Sequence, residues 1–356
     1  MASIRTGFNL IYLHEVEESI NRAAADAVSR GYLTTDKDVT LLLYPESDGS
    51  ATGVRVPLVS RTATAADGGF VFYDILPAVR NYMLAKEKAV TYLSFDFRQD
   101  LSTVPRGTLD ILFMEWRWGS LTAQRFVQQR FLTSSPVSLL LLGNDLVMTV
   151  PLFFYQVPDL PDAEDAAFPL TLTVRAVNAQ MGNPEIERTY PFEEANRINS
   201  GVFQMYRSLP QIFRYYKKNI YTCGGREQTV YFFSGQSYVS LQFTNYFNVL
   251  ERIDLPAFVT REPATEKSDA VFGDKRQDYD LDHSDTYTIE TELLPAEVYD
   301  TLLAFVRSRD ARLAVNKTNG LHPVVIYEYE IVRSNRPGDP IRFTCRYLLK
   351  DTKRLL

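Results

Sequence analysis

Hydrophobic and polar residues alternate with a period of two along much of the 356-residue chain. This alternation is typical of β-strands that turn one face to a core and the other to solvent. The clearest examples are residues 91–98, 110–118, 170–176, 238–243, 325–331 and 341–347. The last two segments flank the sequence Asn-Arg-Pro-Gly-Asp at 335–339, which favours a turn, so the pattern predicts a C-terminal β-hairpin.

The two strands of this hairpin are predicted to bury their apolar positions. In the first strand, Val325, Tyr327, Tyr329 and Ile331 alternate with glutamates and are expected to share one face. In the second strand, Cys345 falls on the apolar side of the alternation. We therefore expect Cys345 to be part of a core.

Three segments have the spacing of helices. Residues 15–30 form an amphipathic pattern with acidic residues in the first turn. Asp74 stands where an N-cap would, and Pro77 is tolerated in a first turn, so a short helix is predicted to follow Asp74. The third and clearest helix is predicted at residues 295–308.

The predicted fold class is mainly β, with two or more antiparallel β-sandwich or barrel domains and a few short helices. We expect an N-terminal β-rich domain at residues 1–177, an irregular connector at 178–212 and a C-terminal β-rich domain at 213–356. The polar residues 260–285 are too many for an ordinary hairpin loop. This segment, which we call the arm, is expected to be either an ordered surface excursion or a contact with a partner.

Composition and charge argue against several classes of function. The net charge is −6, which disfavours a large basic surface for nucleic acid. No apolar run approaches the roughly 18 residues that a membrane helix needs, so membrane insertion is not expected. Residues 1–5 lack the features of a secretory signal, which favours a cytoplasmic start. The two cysteines, Cys223 and Cys345, are expected to be free thiols.

The residue types that carry chemistry do not form a catalytic set. Only three histidines are present, and the sequence has neither a nucleophile elbow nor a phosphate-binding glycine loop. Cys223 precedes two glycines but lacks a neighbouring histidine that would activate its thiol. Residues 214–218, Arg-Tyr-Tyr-Lys-Lys, interleave basic and aromatic side chains, a pattern that a strand surface produces as readily as a nucleic-acid site. We predict no enzyme, no cofactor, and no catalytic or metal-binding residue.

Residues 278–285 form the richest acidic stretch and resemble a calcium-binding loop in their alternating carboxylates. His283 occupies the position where such a loop needs glycine. Ile289 stands where a bidentate glutamate is required. A charged strand edge or loop is the simpler interpretation, and the sequence leaves the question of calcium open.

Three segments together suggest a family. These are residues 69–82 (Gly-Phe-Val-Phe-Tyr-Asp-Ile-Leu-Pro-Ala-Val-Arg-Asn-Tyr), residues 241–250 followed by the polar arm, and the helix at 295–308 that leads into the terminal hairpin. In this combination the chain resembles tail-region structural proteins of phages and prophages of gut Bacteroidota, of the distal-tail or baseplate type. The resemblance extends over most of the chain.

The resemblance implies a non-enzymatic structural component of a phage tail tip or baseplate, made in the host cytoplasm and located in the virion tail. Its partners would be other copies of itself in a ring, together with neighbouring tail proteins. The arm would supply subunit contacts through mixed charges that set register and partner choice. The residues expected to make these contacts are Arg261, Glu262, Glu266, Lys267, Asp269, Asp274, Lys275 and Arg276.

An alternative from another class is a carbohydrate- or host-surface-binding β-sandwich protein. The 21 tyrosines and 22 phenylalanines would allow aromatic rings to stack on sugar faces. This hypothesis requires several aromatic side chains to cluster on one exposed face. A hydrolase on a β-sandwich would need a cleft with converging acids, for which the sequence offers no distinctive pair.

Overall fold

The computed structural model describes residues 10–45, 56–100, 102–103, 107–114, 119–141, 148–155, 171–179, 185–191, 197–199, 202–209, 216–272, 275–316, 320–334, 336 and 338–350. Within these residues the chain forms four sheets and four α-helices. The prediction of a mainly β protein with a few short helices is confirmed.

The first sheet has the strand order β1-β6-β4-β2-β3, with β5 paired to β4. All of its pairs are antiparallel except β1 with β6. The elements of this region are β1 (Leu10–Tyr12), α1 (Val16–Ser29), β2 (Val39–Pro45), β3 (Val59–Ala63), α2 (Leu76–Ala85), β4 (Val90–Gln99), β5 (Ser102–Thr103) and β6 (Gly107–Leu112).

Helix α1 packs its apolar stripe against this sheet. Val16, Ile20, Ala24 and Ala27 recur every three or four residues, are buried, and lie in one core with Val79 and Met83 of α2. The same helix caps α2, because one side-chain oxygen of Glu17 accepts hydrogen bonds from the N–H groups of Ile75 and Leu76 at 2.9 and 3.1 Å.

The predicted N-cap of α2 is therefore wrong. Asp74 has a φ of 59°, in the left-handed region, and the helix begins two residues later at Leu76. The side chain that receives the first N–H groups comes from α1, more than 50 residues earlier in the chain. Local sequence does not reveal such a cap, because the two helices meet only in the folded core.

The middle of the chain contributes two further sheets. One has the order β10-β9-β13-β14-β7, and the other has the order β11-β12-β8. The elements are α3 (Ala123–Gln129), β7 (Val137–Leu141), β8 (Met148–Tyr155), β9 (Thr171–Ala179), β10 (Ile186–Pro191), β11 (Arg197–Asn199), β12 (Val202–Leu209), β13 (Tyr216–Cys223) and β14 (Arg226–Phe233).

The segment expected to be an irregular connector contains strands. Strands β10, β11 and β12 all lie between residues 178 and 212. The five-stranded sheet takes β7, β9 and β10 from before residue 212 and β13 and β14 from after it. The predicted connector therefore does not separate one set of sheets from another.

The last part of the chain forms a closed barrel with the strand order β15-β16-β17-β20-β19-β18. A 3₁₀ turn at Ala296–Val298 leads into α4. The elements are β15 (Tyr238–Thr244), β16 (Leu250–Phe272), β17 (Lys275–Thr291), α4 (Tyr299–Arg307), β18 (Arg312–Val315), β19 (His322–Val332) and β20 (Arg342–Leu349).

Alternation along the barrel strands produces one apolar core. Val239, Leu241 and Phe243 of β15 are fully buried, as their spacing predicted. Leu302 and Phe305 of α4 join the same core, and the ring of Phe305 meets the ring of Phe243 edge-on at 5.8 Å. Helix α4 thus packs its apolar face against the barrel sheet.

We expect Phe305→Ala to lower the free energy of unfolding by about 3–5 kcal/mol, because the ring is fully buried and its loss leaves a cavity. Phe258→Ala is the matched control, since 58% of that side chain is already exposed, and its loss should stay below about 1 kcal/mol. Urea unfolding followed by circular dichroism measures both. Equal losses for the two variants would contradict the packing of α4 on the barrel.

Candidate assembly surface

Strands β16 and β17 continue far beyond the barrel. β16 pairs with β15 over Leu250–Pro256, and from Ala257 to Phe272 it pairs with β17. β17 pairs with β20 only from Tyr287 to Glu290. Among the described residues, 262–272 and 275–286 therefore have only each other as strand neighbours. We call this two-stranded part of the arm the arm ribbon.

The arm ribbon is long and has two open edges. At the strand rise of roughly 3.3 Å per residue, the stretch from Glu262 to Phe272 extends roughly 35 Å. Each outer edge presents main-chain N–H and C=O groups that have no strand partner among the described residues. A two-stranded ribbon alone is only marginally stable in water. Its geometry is therefore suited to pairing with a further strand.

The base of the arm is held by one contact between its own two strands and by one contact to the barrel strand β20. Arg261 forms an ion pair with Asp285 on the opposite strand at 2.5 Å. The rings of Tyr287 in β17 and Tyr347 in β20 stack with their centroids 5.3 Å apart. The Arg261 side chain is mostly exposed, so the ion pair within the arm contributes little to stability, and the stacked rings are what attach the arm to β20.

The predicted contact residues all belong to the arm, but the structure describes them unequally. Arg261 and Glu262 are exposed at its base. Asp274 lies outside the described residues, and for the remaining five the structure describes the strand but not the side chains; these are Glu266, Lys267, Asp269, Lys275 and Arg276. Their role in subunit contact remains a prediction.

The acidic stretch 278–285 lies within strand β17. A calcium loop needs a sharp turn that wraps carboxylates around one ion, and an extended strand does not provide such a turn. Around Asp278, the pairing with β16 has a register irregularity between Ser268 and Asp269. The local backbone thus favours the interpretation as a charged strand edge.

Strand β19 belongs to the closed barrel but lacks a strand neighbour on one side over most of its length; we call this side the open edge of β19. It pairs with β18 only at His322 and Pro323, whereas its pairing with β20 runs from Val324 to Val332. Beyond residue 323, no other strand pairs with the outer edge of β19 among the described residues. Four large apolar side chains on this strand are exposed to between 44% and 55% of their surface: Val325, Tyr327, Tyr329 and Val332.

A β-bulge explains why the predicted faces of β19 are wrong. The register moves from Ile326 opposite Tyr347 directly to Glu328 opposite Arg346, so Tyr327 is the extra residue. A shift of one residue exchanges the two faces of a strand. Val325 and Tyr329 consequently lie on opposite faces instead of one, and both are exposed.

A buried carboxylate connects the barrel to the middle of the chain. Glu251 pairs with Phe243 in the inward-facing register of the barrel. One of its oxygens accepts hydrogen bonds from the N–H and hydroxyl of Ser134 at 2.9 and 2.7 Å and from the amide of Asn245 at 2.8 Å. Burial raises the pKa of Glu251, while the donors of Asn245 and Ser134 act in the opposite direction.

The turn between β15 and β16 completes this junction. Asn245 also donates to the carbonyl of Leu132, and Asn248 donates to the carbonyl of Met83 at the end of α2. The ring of Phe247 stacks on Phe126 of α3 with centroids 5.1 Å apart. We call Glu251, Ser134, Asn245, Phe247 and Asn248 the junction cluster. It joins the barrel to both preceding parts of the chain.

The two cysteines are buried, as predicted for Cys345. Burial raises the pKa of Cys223 to about 11 and that of Cys345 to about 12. Both thiols therefore stay protonated near neutral pH, whereas an activated nucleophile would be a thiolate.

The basic and aromatic patch at 214–218 is described only in part, because residues 214 and 215 lie outside the described residues. Within the rest of the patch, the ammonium of Lys218 lies 5.6 Å from the centre of the Tyr231 ring.

No protein-family model and no curated protein matches the chain. Within the described ranges, no group of three or more histidine, cysteine, aspartate or glutamate side chains is arranged to hold a metal ion. In the same residues no helix is long and apolar enough to cross a membrane. The arm ribbon and the open edge of β19 are the features of the described residues that bear on function.

The junction cluster is not among the predicted sites, although the sequence of β16 contains a signal for it. Ile253, Leu255 and Ala257 occupy alternate, buried positions, and Glu251 falls in the same register. A carboxylate in an otherwise apolar register indicates a buried polar contact. The partner, Ser134, lies more than 100 residues earlier, and its identity follows only from the fold.

We expect Glu251→Ala to lower the free energy of unfolding by about 2–4 kcal/mol, because Ser134 and Asn245 would keep buried donors without their acceptor. Glu251→Gln preserves an acceptor oxygen, so its free energy of unfolding should fall clearly less than that of the alanine variant. Urea titration at neutral pH compares the two. A loss for the glutamine variant equal to that of the alanine variant would argue against these hydrogen bonds as the cause.

The same carboxyl group predicts a dependence of stability on pH. Its folded-state pKa is raised above the ordinary value of 4.5, so between these two values the folded chain holds more protons than the unfolded chain. The contribution to stability is complete below the ordinary pKa and is lost as pH rises through the folded-state pKa. Glu251→Gln should remove this component from the pH profile of the unfolding midpoint. An unchanged profile would contradict the assignment.

Proposed function

We propose that the chain is a non-enzymatic structural and assembly component of a phage tail tip or baseplate, which packs into a ring through its β-domains and its extended arm. The observation that supports assembly is the arm ribbon, which leaves a closed barrel and exposes two strand edges over roughly 35 Å. The tail location derives from the sequence resemblance alone. Other copies of the chain and neighbouring tail proteins are the proposed partners.

The construction of the barrel is consistent with an assembly role. A rigid base is needed if an arm is to reach a neighbour without a large loss of conformational entropy. Here β16 and β17 are continuous from the barrel into the ribbon, and Ile289 and Leu255 anchor them in the core. A head-to-tail contact made by such an arm generates a ring whenever the rotation between copies closes.

Carbohydrate or host-surface binding is the second candidate. The observation that favours it is the exposure of Tyr327 and Tyr329, two aromatic side chains close together on β19. Rings at such positions are able to stack on sugar faces. The same exposure also suits a protein contact, and the open strand edge beside these tyrosines favours the protein contact.

The assembly proposal is tested by shortening the arm. Replacing residues 263–285 with Asn-Gly leaves Glu262 and Thr286 as the last pair and closes the hairpin with a favourable two-residue turn. We expect the full chain to form rings in native mass spectrometry and negative-stain images, and the shortened chain to remain folded but monomeric.

Circular dichroism of the shortened chain controls for loss of the barrel. Rings formed equally well by both chains would contradict the role of the arm. A full chain that is monomeric both when purified and in a lysate of its source would contradict assembly itself. Binding to glycan arrays would then be the test of the second candidate.

A further inference from the structure

The strand pairing of the arm ribbon is interrupted near its middle. The pairing is continuous up to Ser268, which lies opposite Asp280. The next residue, Asp269, lies opposite Asp278, so Tyr279 is an extra residue in β17. Such a β-bulge leaves one residue unpaired, interrupts the ladder of hydrogen bonds and bends the strand that carries it. The bulge therefore divides the ribbon into an inner and an outer part.

Acidic residues oppose one another on both sides of this bulge. Glu266 lies directly opposite Asp282, and Asp269 lies directly opposite Asp278. Like charges at directly opposed positions destabilise a strand pair. The bulge itself produces the second pair, because an uninterrupted register would place Tyr279 opposite Asp269. Interrupted pairing and charge repulsion thus occur at the same place.

The first of these acidic pairs has no nearby compensation on its own face. Positions two residues apart in a strand share a face. At the paired positions 262–268 and 280–286, one face therefore holds four acidic residues and no lysine, arginine or histidine: Glu262, Glu266, Asp280 and Asp282. The second acidic pair has Lys267 and Arg276 two positions along its strands. The repulsion is consequently greatest at the first pair.

The two ends of the ribbon lack such repulsion. At the base, Arg261 and Asp285 carry opposite charges and form an ion pair. At the outer end, Val271 and Phe272 are of residue types that favour strands, and neither lies opposite an acidic residue. Among the described residues no third strand pairs with the ribbon, so its middle depends on the two arm strands alone.

We propose that the middle of the arm ribbon, residues 266–269 with 278–282, is a hinge about which the outer end of the arm moves. A bulge and a directly opposed acidic pair both weaken the pairing there, while the outer end keeps its own pairing. A hinge is a short segment that absorbs a change in backbone angles while the parts on either side stay intact. The hinge is a property of the single chain, and in the proposed assembly it lets the outer end of the arm adjust its direction to a neighbouring copy.

Amide hydrogen exchange of the full-length chain, followed by mass spectrometry with fragmentation to single residues, tests the hinge. The chain is diluted until native mass spectrometry shows single copies, so that the result does not depend on assembly. After correction for intrinsic rates, residues in the middle should exchange at least about twofold faster than residues at the base and at the outer end. Added salt should slow the exchange of the middle, because salt screens the repulsion between charges.

Two variants act on the two causes separately. Glu266→Gln with Asp282→Asn removes the opposed charges, and deletion of Tyr279 removes the extra residue. Each variant should slow exchange in the middle at least about twofold. The matched control, Glu185→Gln with Glu187→Gln, changes the net charge equally at two exposed glutamates outside the arm and should leave the exchange of the arm unchanged. Exchange in the barrel strand β15 checks that each variant is folded.

The results also distinguish the hinge from the proposed function. Faster exchange in the middle than at both ends, slowed by the variants, would support the hinge, and an effect of one variant alone would assign it to that cause. Uniform exchange along the arm, or a middle that neither variant slows, would overturn it. A chain that forms rings but exchanges uniformly along the arm refutes only the hinge. A chain that stays monomeric but has a weak middle refutes only the assembly function.

Discussion

The arrangement of the described chain depends on one buried carboxylate. Glu251 stands in the inward register of a barrel strand and is compensated by donors from Ser134 and Asn245. A carboxylate in such a place is costly unless its hydrogen bonds are complete. The hydrogen bonds from Ser134 to Glu251 therefore fix the segment before β7 against the end of the barrel. The adjoining turn, through Phe247 and Asn248, connects the same end of the barrel to α2 and α3.

A barrel anchored in this way is a suitable base for the arm. Strands β16 and β17 are ordinary core strands where they pair with β15 and β20, and they become a free ribbon where those neighbours end. On the other side of β20 lies β19, which pairs with β18 only at His322 and Pro323 and carries several exposed apolar side chains. The unpaired main-chain groups of the arm ribbon represent hydrogen-bonding capacity that a second molecule is able to satisfy. This geometry supports the proposed assembly role.

Much of the fold was predictable because alternation and helical spacing are local signals. The positions of α1 and α4 and the buried faces of β9 and β15 follow from the spacing of apolar residues such as Ile20, Phe305, Val174 and Leu241. Helix α3 was missed, since its seven residues are too few for a clear period, although Thr122 caps it. The faces of β19 were wrong, because a bulge at Tyr327 follows from pairing with β20 and not from the strand itself.

The candidate assembly surface was likewise predictable only in part. The sequence by itself determined that residues 260–285 are a long polar insertion with mixed charge, that the chain is mainly β, and that its apolar positions suffice for a core. Only the tertiary structure decided that this insertion is a two-stranded ribbon, that β19 is an open edge, and that Glu251 meets Ser134. The physical reason is range: periodicity reflects the environment of neighbouring residues, whereas strand order, edges and buried polar partners depend on contacts between residues far apart in the chain.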